Sequence, residues 1–89
     1  MAPDDPDVLR LREQLTEVDE RIVEAVNARL ELVAERKRVK EQRGIAFHDP
    51  EREAWLLDHL AATNRGRLSS EGLQALYAEL LALTKRELD

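Results

Sequence analysis

The chain has 89 residues, 43% of them apolar and only three aromatic (Phe47, Trp55 and Tyr77), which is enough for one small domain and too little for a multidomain enzyme with a deep cleft. Fourteen Lys and Arg against nineteen Asp and Glu leave a formal net charge of −5, which argues against a general nucleic-acid binder, so any basic site must be local. Cysteine is absent, which removes disulfides, thiolate nucleophiles and cysteine-ligated zinc.

Residues 1–7 (MAPDDPD) carry two prolines and three aspartates and read as a flexible leader that can cap the first helix. This opening lacks the basic start and apolar core of a signal peptide, and no later stretch has the apolar length of a membrane span, so the cytoplasm is the default address. From Val8 to Arg43 there is neither glycine nor proline, and Val8, Leu11, Leu15, Val18, Ile22, Ala25, Leu32 and Val39 recur at heptad-like spacing. That pattern predicts one long helix. Gly44 ends it, and Asp49-Pro50 opens a second helix as N-cap and first-turn proline, running to about Thr63. Asn64 to Leu68 forms a loop around Gly66, after which Ser69 caps a third helix bearing Leu73, Leu76, Tyr77, Leu80, Leu81 and Leu83. Gly72 in its first turn weakens that start slightly.

The first helix poses a geometric problem. Residues 8–43 at helical rise span about 54 Å, whereas a compact chain of this size has a radius of gyration of about 12 Å and a diameter near 30 Å. The remainder of the chain is too short to cover so long an apolar stripe, so a second copy is expected to do so. The expected fold is all-α, with three helices per chain, one long and two shorter, over a helical domain at 8–89, in an intertwined helical homodimer.

Charge interrupts the apolar register. Arg29 and Arg36 fall at steps between Ala25 and Leu32 and between Leu32 and Val39, and Lys40 follows Arg29 by eleven residues, about three helical turns. Most other cations have acids three or four residues away, where helical neighbours pair. Arg10 has Asp7 and Glu13, Arg21 has Glu17 and Glu24, Arg38 has Glu35 and Glu41, and Lys37 has Glu41. No acid stands at those offsets from Arg12, Arg29, Arg36 or Lys40. Arg43 has none either, but near a helix end it answers the dipole. Arg29 is flanked by Ala25, Val26, Leu32 and Val33, and charge held in a dry seam costs several kcal/mol unless an anion meets it. The anion is either a ligand or an acid of the protein, such as Glu53 or a residue of a partner chain. Several cations on one face favour the ligand.

The segment Asp49 to Glu53 (DPERE) has a plain structural reading, with Asp49 as cap, Pro50 fixing the first turn and Glu51 favouring the dipole. Beside a cationic face, Arg52 adds an anion contact, and Glu53 or Asp49 can accept a hydrogen bond from a substrate hydroxyl. His48 and His59 lack a third ligand at motif spacing, which argues against a metal site. Trp55 and Tyr77 are expected to be packing residues. Neither a glycine-rich phosphate loop nor a serine-triad pattern is present.

Taken together, L-R-x-x-L-x-x-V-D (Leu11 to Asp19), R-x-x-L (Arg29 to Leu32), Lys40 and D-P-E-R-E resemble the all-helical chorismate mutases over about residues 8–88. The resemblance implies three helices per chain, an entwined dimer with two equivalent sites, and conversion of chorismate to prephenate without cofactor or metal. It implies that Arg12 reaches one substrate carboxylate from the partner chain while Arg29 holds the other. Lys40 would touch a carboxylate and the ether oxygen, Arg52 would close the site, and Glu53, helped by the backbone at Asp49, would receive the ring hydroxyl. Thr84 matches a serine or threonine placed beside a carboxylate.

Two positions depart from that pattern. Four residues after Thr84 the family has Gln or Glu donating to the ether oxygen, and here the register gives Leu88, with Glu87 adjacent and able to donate only if protonated or if the last turn shifts. Relatives carry an apolar residue where this chain has Arg36. Arg36 can therefore supply the hydrogen bond that Leu88 cannot. The alternatives are a site turned to isochorismate, as in a pyruvate lyase, or to an amino analogue, a site that has lost much of its activity, and a non-catalytic helical dimerisation or regulatory module whose basic face docks an acidic partner.

Overall fold

The structure, a computed structural model, describes residues 5–88. Its elements are α1 (Pro6–Gln42), α2 (Pro50–Thr63) and α3 (Ser70–Leu88), and among the described residues there is no strand. This is the all-α, three-helix chain that the periodicity predicts. The chain divides into two compact units between Val33 and Ala34. The first contains α1 up to Val33. The second contains the last turns of α1 together with α2 and α3.

α1 begins two residues before the apolar stripe does. Asp5 Oδ1 accepts from the backbone N–H of Asp7 at 2.9 Å and of Val8 at 3.3 Å, and Pro6 occupies the first helical position, where a missing N–H costs nothing. Of the leader expected over 1–7, residues 1–4 lie outside the described residues. α1 stops at Gln42, one residue short of the expected end, because Gly44 adopts φ +67°. The Ile45 N–H then donates to Lys40 O at 2.8 Å and the Gly44 N–H to Glu41 O at 3.3 Å. This pair of bonds closes the helix as a Schellman motif and satisfies carbonyls that would otherwise end in solvent.

α2 starts as its sequence signals. Asp49 Oδ1 accepts from Arg52 N at 3.1 Å, and Pro50 follows the cap. At its other end the Asn64 N–H donates to Leu60 O at 2.9 Å. The Asn64 side chain then organises the loop, with Nδ2 donating to Leu68 O at 2.8 Å and Oδ1 accepting from Gly66 N at 3.2 Å. Ser69 caps α3 by accepting from Gly72 N at 3.0 Å. Gly72 has a steric reason to be there. A Cβ at that position would stand 3.0 Å from Leu68 Cδ1 and 3.1 Å from Ser69 Oγ, crowding both the cap and the residue before it.

Within the second unit α2 and α3 pack against each other. Leu73 and Thr84 are its buried residues, and Leu80, Leu81 and Leu83 are half-buried. In the first unit the apolar stripe is largely in solvent: Leu11 is 52% exposed, Leu15 62% and Ile22 53%. Among the described residues no helix is long and apolar enough to cross a membrane.

Candidate active site

In the second unit three cations converge on one aromatic residue. The turn at Gly44 sends the chain back so that Phe47 lies beside the end of α1. The Arg36 guanidinium is 5.6 Å and the Lys37 ammonium 5.7 Å from the Phe47 ring centroid, both inside cation–π reach. Lys40 Nζ donates to Phe47 O at 3.5 Å, a long bond. Lys37 also donates to Leu88 O at 3.2 Å, placing its charge at the negative end of α3. This differs from the expected pairing of Lys37 with Glu41, because the terminal carbonyl of α3 lies within its reach. Arg36 and Lys40 form no ion pair among the described residues.

The first turn of α2 carries Asp49, Arg52 and Glu53. Since the Asp49 carboxylate is turned onto the Arg52 backbone N–H, it does not pair with the Arg52 guanidinium, which forms no ion pair among the described residues. That guanidinium lies 4.1 Å above the Trp55 ring, and Trp55 in turn stacks on His59 with centroids 4.8 Å apart and planes 8° from parallel. Trp55 is 49% exposed, so it is a surface platform rather than the packing residue expected from its type. Tyr77 is half-buried, and so is Glu53, whose N–H makes the first helical bond to Asp49 O at 3.2 Å.

On α3, Thr84 is 7% exposed and its hydroxyl donates to Leu80 O at 2.7 Å. To donate to a ligand it must exchange that bond. Glu87 is exposed and Leu88 half-buried, and the Leu88 side chain has nothing to donate.

The first unit holds Arg12 and Arg29. Arg12 is exposed, forms no ion pair among the described residues, and lines a shallow concavity of about 400 Å³ with Leu9, Glu13, Thr16, Glu17 and Glu20. Arg29 is half-buried. A second concavity, about 440 Å³, is lined by Thr16, Asp19, Glu20, Val23 and Glu24. Its three carboxylates would repel a dianion, so its size does not make it the site. Arg10 does pair with Asp7, at 3.0 Å, as the helical offset predicts. Arg21 instead turns its Nε toward Glu17 O at 3.5 Å.

The arrangement supplies point charges and donors. The described residues contain no group of three or more His, Cys, Asp and Glu that could hold a metal ion. Guanidinium and ammonium groups not neutralised by acids suit a small molecule with more than one carboxylate, which they can hold in a chosen conformation while stabilising charge that develops on an oxygen. Sequence reasoning did not single out Phe47, Lys37 or the Trp55–His59 pair. Only the last has a sequence signal, since positions 52, 55 and 59 share a helical face.

Residues 11–87 match the family described as chorismate mutase type II. The chain is 34% identical over 77 residues to a bifunctional chorismate mutase/prephenate dehydratase of Stutzerimonas stutzeri, covering 81% of this chain and 21% of that protein. It is 33% identical over 84 residues to a protein of the same description from Pseudomonas aeruginosa, covering 88% and 23%. The chain thus spans about a fifth of the length of these curated relatives. Its fold is similar to that of a chorismate mutase (form II) from Thermus thermophilus, with a TM-score of 0.84 and 28% identity over 90% of this chain and 91% of that one.

Proposed function

The chain belongs to the type II chorismate mutase family, and on that premise we propose that it rearranges chorismate to prephenate within a homodimer, without covalent catalysis. The observation that carries this reading is the set of cations at Arg36, Lys40 and Arg52, none of which is neutralised by an ion pair among the described residues.

The reaction is intramolecular: an ether C–O bond breaks as a carbon–carbon bond forms in the same molecule. It needs no nucleophile, base, metal or cofactor. The barrier falls if the two carboxylates are held in the compact reactive conformer and if donors meet the negative charge growing on the ether oxygen. In this reading Arg29 holds one carboxylate and Arg12, from the partner chain, the other. Lys40 bridges a carboxylate and the ether oxygen, and Arg36 supplies the second donor to that oxygen in place of Leu88. Arg52 closes the site, Glu53 and the Asp49 backbone receive the ring hydroxyl, and Thr84 and Glu87 line the end of α3. The dimer is supported by the exposed stripe Leu11, Leu15, Val18 and Ile22, since apolar area of that extent is stabilised by burial against a like surface. The cytoplasmic branch toward phenylalanine and tyrosine is the matching setting.

The test is the absorbance decay of chorismate with purified protein, comparing wild type with Arg29→Ala. Turnover that collapses in a variant still folded and dimeric supports the reading, and a wild-type protein without turnover overturns it. Leu88 at a donor position favours one second reading, a lyase acting on isochorismate. Pyruvate and salicylate from isochorismate, with no prephenate from chorismate, would establish that instead.

A further inference from the structure

We propose that Trp55 is a positioning residue for the substrate cation Arg52, with His59 backing the indole. The inference rests on the proposed function for what Arg52 binds, and on the geometry of α2 for how Arg52 is held.

An exposed arginine at the lip of a site is a poor ligand unless something restricts its rotamers, because each conformer lost on binding weakens the complex. The one acid three or four residues from it, Asp49, is occupied by the cap of α2. Arg52 therefore relies on the ring three residues on, with its guanidinium 4.1 Å from the indole centroid. That is a stacking distance for a planar cation on the strongest aromatic acceptor. Four residues beyond the indole, His59 lies nearly parallel to it at 4.8 Å, a favourable offset arrangement for two rings. The indole is thus held between a group one turn before it and a group one turn after it. At 49% exposure Trp55 is not a core residue of the described chain, and its ring meets the Arg52 guanidinium and the His59 imidazole. Stacking uses the π face of the guanidinium and not its donors, so the N–H edges stay available to a carboxylate.

Trp55 is also the only tryptophan of the chain, so the stack can be read optically with no added label. The experiment compares wild type, Trp55→Ala, Trp55→Phe, His59→Ala, Arg52→Ala and the Arg52→Ala/Trp55→Ala pair by chorismate kinetics, with far-UV circular dichroism to establish folding. Loss of one such contact corresponds to about a fivefold effect, expected in KM rather than kcat for Trp55→Ala. Trp55→Phe should recover most of it and His59→Ala lose part. In the Arg52→Ala background, removing Trp55 should add nothing. An equal penalty for Trp55→Ala with and without Arg52, or an unchanged KM, overturns the proposal. Should wild type not turn over chorismate at all, the function reading falls separately, and intrinsic fluorescence decides the platform. Emission that shifts in Arg52→Ala supports the stack, and emission identical to wild type refutes it.

Discussion

Arg36→Ala separates a donor to the substrate from an ordinary surface cation. Arg36 is exposed and forms no ion pair among the described residues. Its contact is the Phe47 ring at 5.6 Å, and an exposed cation–π contact is worth about 0.5–1 kcal/mol. The substitution should therefore lower stability by no more than about 1 kcal/mol. If Arg36 donates to the ether oxygen, its loss removes about 3 kcal/mol of transition-state stabilisation, which is about 150-fold in kcat/KM. The two magnitudes differ enough to be read in one preparation, with initial rates of chorismate loss at low substrate and a urea titration of the same protein. Arg36→Lys keeps the charge and loses the fork of donors, so an intermediate rate is expected. Leu88→Gln in the Arg36→Ala background places a donor at the position where the resemblance implies one and should recover part of the loss. A kcat/KM for Arg36→Ala within about threefold of wild type, well short of the effect expected for a lost donor, would refute the reasoning, because donation to the ether oxygen is the one part proposed for Arg36 in turnover.

The helix ends and the exposed stripe yield the remaining predictions. Gly44→Ala should destabilise by about 1 kcal/mol, read as a lower urea midpoint; the open space around that position leaves only the left-handed backbone to resist the side chain, and unchanged stability would contradict this. Asp49→Ala should cost about 1 kcal/mol through loss of the α2 cap, whereas Asp49→Asn should cost a few tenths; equal losses in the two would show that the cap bond to Arg52 N is not the cause. Ile22→Asp should shift sedimentation from dimer to monomer at micromolar concentration, and a wild type that is itself monomeric there would remove the homodimer.

The helix boundaries were legible because their signals are local. Asp49-Pro50, Ser69 and Gly44 each act through hydrogen bonds to residues within five positions, and a sequence shows those positions directly. Asp5 and Pro6 carry the same kind of signal, but the acidic leader obscured it. The cations without helical acid partners at Arg12, Arg36 and Lys40 were legible for the same reason, since the offset rule is a property of one helix. Lys37 was not, because the oxygen it reaches is 51 positions away and no periodicity announces a contact between the ends of two helices. The column of Arg52, Trp55 and His59 lies between these cases: the spacing was visible, but stacking depends on rotamers that spacing does not fix. Gly72 reads as a weak helix residue from propensity, and only the positions of Leu68 and Ser69 explain it.

Asn64 has a consequence for the chemical lifetime of the protein. Its amide spans a turn that displays Arg65 and Arg67 to solvent, the residue type at which trypsin cleaves, and a protease must draw several residues into an extended strand before it can cut. Holding Gly66 N and Leu68 O at once, this one side chain closes the turn against that deformation. Deamidation to aspartate would keep the acceptor and replace the donor with a repelling oxygen, so ageing at a single amide would turn a protected bend into a nicking site between α2 and α3.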